Sequence, residues 1–296
     1  MSGEGASVGG RGLTLPPATR TRFAPAPTGF LHLGHVANAL WVWGAARLAG
    51  AAVLFRIEDH DRQRSRAVFA DAIVEDLEWL GFAADAGPVR QSEPDAVAAY
   101  EEALARLTDE GLVYRCACTR STFAAWAREH GRAWSGVGCP GACRNRALPG
   151  DAATSLRAAL GAGTESFDDL LLGSQSGDPS ATGDLVVRDR EANWTYAFAV
   201  VVDDLRQGVD LVVRGEDLRS ETARQIRLAR LLGRPVPPNF LHHPLIHKAS
   251  GEKLSKSDGD TGVRELRAAG RSAAYVLRAA SEAAQIPQLI LKAWHG

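Results

Sequence analysis

Lysine is nearly missing from this chain: four residues stand against thirty arginines, so a generic positive charge is written as arginine almost everywhere. Three of the four, Lys248, Lys253 and Lys256, fall within one nine-residue stretch. A local need for lysine follows, because a compact ammonium on a flexible stem can follow moving phosphate oxygens, whereas arginine offers a rigid planar fork. Cysteine is as sparse. All four lie between Cys116 and Cys143, which excludes a disulfide framework spread through a secreted fold. No apolar stretch reaches the ~20 residues that a bilayer-spanning helix needs. The longest, residues 39–55, is broken by Gly44, Arg47 and Gly50, so no membrane partner is expected. Neither charge is in excess, with 34 basic against 35 acidic residues, so contact with RNA has to come from a local patch. Residues 1–18 lack the apolar centre of a signal peptide and read as a flexible tail, which leaves the cytoplasm as the expected location.

A hydrophobic content of 45% with 23% charged residues suffices to bury a core, and 31.5 kDa leaves room for two domains. The pattern opens with a short strand over 19–24, a helix over 33–49 stopped by Gly50, and an apolar β-rich run over 52–57. Such a β-α-β unit places Glu58, Asp59 and Asp61 just past the carboxyl end of a strand, where open parallel sheets hold their ligands. Amphipathic helices are predicted over 65–80 and 94–110, closed by Gly81 and Gly111, and the alternation argues for an α/β, doubly wound parallel sheet of Rossmann type. Residues 112–183 break this rhythm and read as an insertion that carries the cysteines and the Arg144-Asn145-Arg146 run. Strands are expected again over 185–187, 196–202 and 211–213, then a helix over 220–232. The expected organisation is a tail (1–18), a first half of the catalytic domain (19–111), the insertion (112–183), a second half (184–245), and a lysine loop with a helical C-terminal segment (246–296).

Three clusters carry chemistry. Cys116-Ala117-Cys118 and Cys139-x3-Cys143 offer four soft ligands from two short segments, which suits one structural Zn2+ in a closed tetrahedral site; free buried thiols or two disulfides are the alternatives. His32 and His35 stand three apart at a predicted helix start, where unpaired N–H groups and the positive dipole end favour phosphate. Gly34 between them allows close approach of a nucleotide, and the histidines would donate to phosphate oxygens of ATP. Taken alone, they equally suit two surface histidines. Lys253 and Lys256, in the loop Lys253-Leu254-Ser255-Lys256-Ser257, would neutralise charge on a departing pyrophosphate; a solvated charged loop is the plain alternative.

Taken in order, Arg22-Phe23-Ala24-Pro25-Ala26-Pro27-Thr28-Gly29, His32-Leu33-Gly34-His35, Arg56-Ile57-Glu58-Asp59, Val201-Val202-Asp203-Asp204, Arg214-Gly215-Glu216-Asp217-Leu218 and Lys253-Leu254-Ser255-Lys256-Ser257 resemble the glutamyl-tRNA synthetase catalytic domain, a class I aminoacyl-tRNA synthetase. The four cysteines, and the 39 residues after Ser257, resemble most the short form of that family, the glutamyl-queuosine tRNA(Asp) synthetases. The resemblance implies a ligase that converts L-glutamate and ATP, with Mg2+, to glutamyl-adenylate. It then passes the glutamyl group to queuosine at the wobble position of tRNA(Asp). It also implies that Arg22, Phe23, Ala24, Pro25, Ala26, Glu58, Tyr196 and Arg214 form the glutamate site, and that His32, Gly34, His35 and Lys256 bind ATP. Within this scheme His32, His35, Lys253 and Lys256 are catalytic, and Glu58 holds the α-ammonium. The partner is then the anticodon arm of tRNA(Asp), with Arg144 and Arg146 on the RNA-facing insertion, and the expected state is a monomer.

Two positions depart from the family pattern. Ala26 replaces a serine and removes a hydroxyl from the amino-acid site, and Cys139 replaces a tyrosine ligand and makes the metal site all-cysteine. Rival readings are a truncated glutamyl-tRNA synthetase that charges a tRNA 3′ end, a small nucleotidyltransferase, and a silent zinc-containing RNA-binding paralogue.

Overall fold

The computed structural model describes residues 13–131, 138–149, 153–246 and 262–295. Parallel strands β1 (Arg20–Phe23), β2 (Ala52–Ile57) and β3 (Ala86–Arg90) form one half of the central layer in the order β1-β2-β3. Strands β6 (Glu165–Asp169), β9 (Leu211–Gly215) and β10 (Asn239–His243) form the other half, β10 being parallel to both neighbours; β7 (Gly173–Gly177) closes its edge antiparallel to β6. β9 lies beside β1, where Asp210 N–H donates to the Arg20 carbonyl. Strand order runs outward in opposite directions from β1 and β9, which creates the crevice where open α/β sheets bind ligands.

Strand alternation separates two chemistries. Phe23, Val53, Phe55, Ile57, Leu211, Val213 and Leu241 join the core under helix α1 (Leu33–Ala49), with α2 (Ala67–Leu80), α8 (Ala273–Ala283) and α9 (Gln288–His295) on the same face. The alternate positions Arg22, Arg56, Arg214 and His242 point to the opposite face, where α5 (Tyr196–Arg206) and α6 (Thr222–Leu231) supply their partners. Close approach of α1 and α9 depends on Gly44: a Cβ there would sit 2.5 Å from Ile290 Cγ2 and 2.6 Å from its carbonyl oxygen.

Residues 196–202, expected as a strand, are helical. From Phe198 through Asp204 every residue of α5 is buried, so the helix has no polar stripe to reveal a 3.6-residue period. α3 (Pro94–Asp109), α5 and α6 share a second core around Tyr100, Trp194 and Phe198. Leu15 and Ala18, within the segment expected as a tail, are packed in the first core.

Hydrogen bonding also crosses the limits drawn around 112–183. β4 (Val113–Cys116) and β5 (Ser155–Ala158) form a small antiparallel sheet completed by β8 (Leu185–Arg188), while β6 and β7 extend the central layer. The cysteine region is pinned to this small sheet through Asp184, whose carboxylate accepts from Tyr114 Oη at 2.5 Å and from Arg144 Nε at 2.7 Å.

Asp210 clamps the start of β1 to the start of β9. Its carboxylate accepts from Thr19 N at 2.9 Å, Arg20 N at 2.9 Å and Thr19 Oγ1 at 2.7 Å. Burial opposes its ionisation, but these donors outweigh burial and hold the carboxyl below the ordinary aspartate value. A depressed folded pKa contributes stability that is present above the unfolded value near 3.9 and is lost as pH falls through the folded value. Asp210→Ala should therefore lower unfolding stability by about 1–3 kcal/mol at neutral pH. Denaturant titrations of the two proteins should converge as the pH is taken below about 4.

Candidate active site

At the β1/β9 crevice a cavity of about 620 Å³ opens among the strand ends and the first turn of α1. β1 and the loop after it supply Arg22, Ala24 and Ala26, α1 supplies His32, Gly34 and His35, and Glu58 follows β2. Tyr196 enters from the start of α5 and Arg214 from β9. Phe23 and Pro25 do not line it: Phe23 faces the α1 side, its ring 5.4 Å from that of Trp43, and Pro25 contributes its carbonyl to Glu58 N–H. Lys253, Lys256 and Lys248 lie outside the described residues.

At the floor of the cavity is a buried ionic layer. Asp204 Oδ1 accepts from Arg56 Nη1 at 2.8 Å and from Arg22 Nε at 3.1 Å, and Arg22 Nη1 also reaches the Val213 carbonyl at 3.3 Å. Burial disfavours the Asp204 anion, yet the two guanidinium groups overcome it and keep the carboxyl below its usual range. Arg56 also donates to Glu58 Oε1 at 3.1 Å. For Glu58, burial outweighs Arg56 and raises the carboxyl above its usual value, so an ammonium arriving there would restore the charged form.

Arg214 is built differently. Its guanidinium donates from Nε to His242 Nε2 at 3.1 Å, from Nη1 to Gln225 Oε1 at 2.7 Å and from Nη2 to Thr222 Oγ1 at 2.7 Å. Among the described residues no carboxylate lies within ion-pair distance of it, although it is only 4% exposed. Burial lowers its pKa. A buried cation held by neutral groups at a cavity wall is a receptor for an anion. Burial likewise raises the pKa of the neighbouring Tyr196 hydroxyl and keeps it protonated.

The histidine pair is fixed by capping. His32 is the N-cap of α1: its Nδ1 accepts from Gly34 N at 3.0 Å, and His35 Nδ1 accepts from His32 N at 3.1 Å. Both rings therefore carry their neutral-state proton on Nε2, the nitrogen not used by the cap. Gly34 serves the cap first, since a Cβ there would lie 2.8 Å from the His32 ring. The expected close approach of a nucleotide is thus joined by a need inside the chain.

The four cysteine sulfurs lie within 4.8 Å of one another, with Cys118 Sγ 3.3 Å from Cys143 Sγ and 3.8 Å from Cys139 Sγ. A tetrahedral ion with ~2.3 Å metal–sulfur bonds has sulfur–sulfur edges of about 3.8 Å, so the cluster fits one. Hydrogen bonding from Cys116 lowers the Cys139 thiol to about 4, against the effect of burial. Arg144, expected on the RNA-facing insertion, pairs with Asp184, at 2.7 Å from Nε and 2.5 Å from Nη2, with its side chain 41% exposed.

Sequence reasoning gave no role to His242, Asp169, Asn38 or His243. His243 lines the cavity with its ring stacked on Trp41 at 5.7 Å and its Nε2 2.9 Å from Asn38 Oδ1. His242 is fully buried, and only its alternation with Leu241 in β10 could have placed it on the face of Arg214.

Residues 18–279 match the family of class I tRNA synthetases (E and Q), catalytic domain. A Glutamyl-Q tRNA(Asp) synthetase of Symbiobacterium thermophilum is 44% identical over 267 residues, covering 85% of this chain and 82% of that protein. One of Rhodobacter capsulatus is 41% identical over 275 residues, covering 87% and 98%. A crystal structure of a glutamate tRNA ligase from Elizabethkingia meningosepticum in complex with its amino acid superposes with a TM-score of 0.68 at 29% identity. It matches 82% of this chain, which spans 53% of that one. The parallel sheet, the capped histidine pair and these likenesses together mean that the chain belongs to the class I tRNA synthetase (E and Q) catalytic-domain family, as a synthetase-like ligase similar to the glutamyl-Q tRNA(Asp) synthetases.

Proposed function

We propose that the protein activates L-glutamate with MgATP and transfers the glutamyl group to queuosine at the wobble position of tRNA(Asp). The observation that carries the amino-acid assignment is Arg214, a buried guanidinium that donates to His242, Gln225 and Thr222, all uncharged. In this reading Arg214 and Arg22 hold the acidic substrate, Glu58 takes the α-ammonium, and Tyr196 closes the pocket. Ala26 leaves that wall without a hydroxyl. His32 and His35 donate from Nε2 to phosphate oxygens beside the α1 N-terminus as the glutamate carboxylate attacks the α-phosphorus. Lys253 and Lys256 are assigned to the departing pyrophosphate. The acceptor assignment rests on the likeness to proteins named glutamyl-Q tRNA(Asp) synthetases.

Glutamate should drive exchange of pyrophosphate into ATP, with aspartate and glutamine poor; equal exchange with either would overturn the glutamate assignment. Arg214→Gln keeps a hydrogen-bonding side chain and removes the charge. It should raise the KM for glutamate about 100-fold or more, the cost of leaving a carboxylate unpaired in a buried site.

For the acceptor, tRNA(Asp) bearing queuosine should be glutamylated by labelled glutamate, and the same tRNA without queuosine should not. An isolated queuosine-bearing anticodon stem-loop should serve nearly as well. Charging of tRNA(Glu) with an inert stem-loop would replace this reading with that of a 3′-end synthetase.

Cys116, Cys118, Cys139 and Cys143 would hold one Zn2+, which ties the end of β4 to the turn at residues 139–143 and does not enter the reaction. Cys139→Ser should lower zinc content and melting temperature well before it changes the exchange rate; metal analysis of pure protein with no zinc would refute the assignment.

A further inference from the structure

Asp169, His242 and Arg214 form a buried line that ends at the cavity. Asp169 Oδ2 accepts from His242 Nδ1 at 2.6 Å and from His242 N at 3.1 Å. Its Oδ1 accepts the backbone N–H groups of Leu171 at 3.0 Å and Leu172 at 2.9 Å. With its proton committed to Asp169 on Nδ1, the neutral imidazole offers a lone pair at Nε2, 3.1 Å from Arg214 Nε. Burial lowers the His242 pKa and keeps the ring in this neutral state.

We propose that His242 is a positioning residue for amino-acid recognition: relayed by Asp169, it aims the Arg214 guanidinium at the substrate carboxylate without neutralising it. The physical reason lies in the order of the groups. A carboxylate placed directly against Arg214 would aim it equally well but would consume the charge that selects an anionic substrate. An imidazole between the two transmits direction and not charge, because the Asp169 anion is satisfied by His242 and three backbone donors. Thr222 and Gln225 fix the remaining orientation from the same neutral side. Arg22 illustrates the contrast, since its Nε is already paired with Asp204. This inference rests on the reading of the cavity as an acidic amino-acid site.

Two substitutions separate positioning from packing. In His242→Asn the amide nitrogen falls near Nδ1 and keeps the bond to Asp169, but nothing reaches Arg214. In His242→Gln the amide oxygen falls near Nε2 and restores an acceptor for Arg214. Pyrophosphate exchange should show the amino-acid KM raised about 10- to 100-fold in H242N, the loss of one hydrogen bond to a charged group, with the KM for ATP within about twofold. H242Q should return the amino-acid KM to within about threefold of wild type. An unchanged amino-acid KM in H242N, a parallel rise in the KM for ATP, or no rescue by H242Q would each overturn the proposal. The split is read with whichever amino acid drives exchange by the wild-type enzyme. A preference for an amino acid other than glutamate therefore corrects the substrate assignment, while the behaviour of the H242N and H242Q pair still decides the role of His242.

Discussion

The carboxylate of Asp204 is the interaction on which the rest of the site depends. It joins β1 through Arg22, β2 through Arg56 and α5 through its own backbone, in a layer where Arg56 is fully buried and Arg22 is 4% exposed. Two buried guanidinium groups with no anion between them would repel each other in low dielectric, so removing this one carboxylate would strip Arg22 of its ion pair and leave Arg56 to Glu58 and the more distant Asp203. Asp203 on the same helical turn ties the layer to the second core, accepting from Gln91 Nε2 at 2.7 Å and from Tyr100 Oη at 2.8 Å. Glu58 hangs from this layer through Arg56 and so inherits its position.

Against that internally paired layer, Arg214 has no carboxylate within ion-pair distance among the described residues. Arg22 and Arg56 are ion-paired within the frame, whereas the hydrogen-bond partners of Arg214 are an imidazole, an amide and a hydroxyl. The same economy of partners recurs at the α1 N-terminus. There two histidines satisfy backbone N–H groups through Nδ1, which fixes the protons on the other nitrogens. In the cysteine region Asp184 holds Tyr114 and Arg144 together, so Arg144 also has a structural part in the fold.

Local chemistry was legible wherever neighbours in sequence are neighbours in space. The helix after Leu33, its stop at Gly50, the strand through Ile57 and the pairing of Cys116 with Cys118 all depend on interactions within a few residues. The ordered run from Arg22 to Lys256 gave the family, because each motif is a short segment with its own backbone role. What failed did so for a reason of range. α5 reads as a strand since it is buried along its whole central stretch, and a helix with no solvent face has no period to detect. The resemblance implies Phe23 as a site residue beside Arg22, but strand alternation turns successive side chains to opposite faces.

The sequence by itself therefore determined the catalytic family, the histidine pair at a helix start and the two cysteine pairs, since each motif is written in a short run of residues. Only the tertiary structure decided which arginine lacks a carboxylate partner among the described residues. Arg22, Arg56 and Arg214 are equivalent as letters. Their difference comes from partners 182, 148 and 28 residues away that the sheet brings under α5 and α6. An ionic environment is set by distance in space, where Coulomb energy and desolvation act, and separation along the chain does not report it.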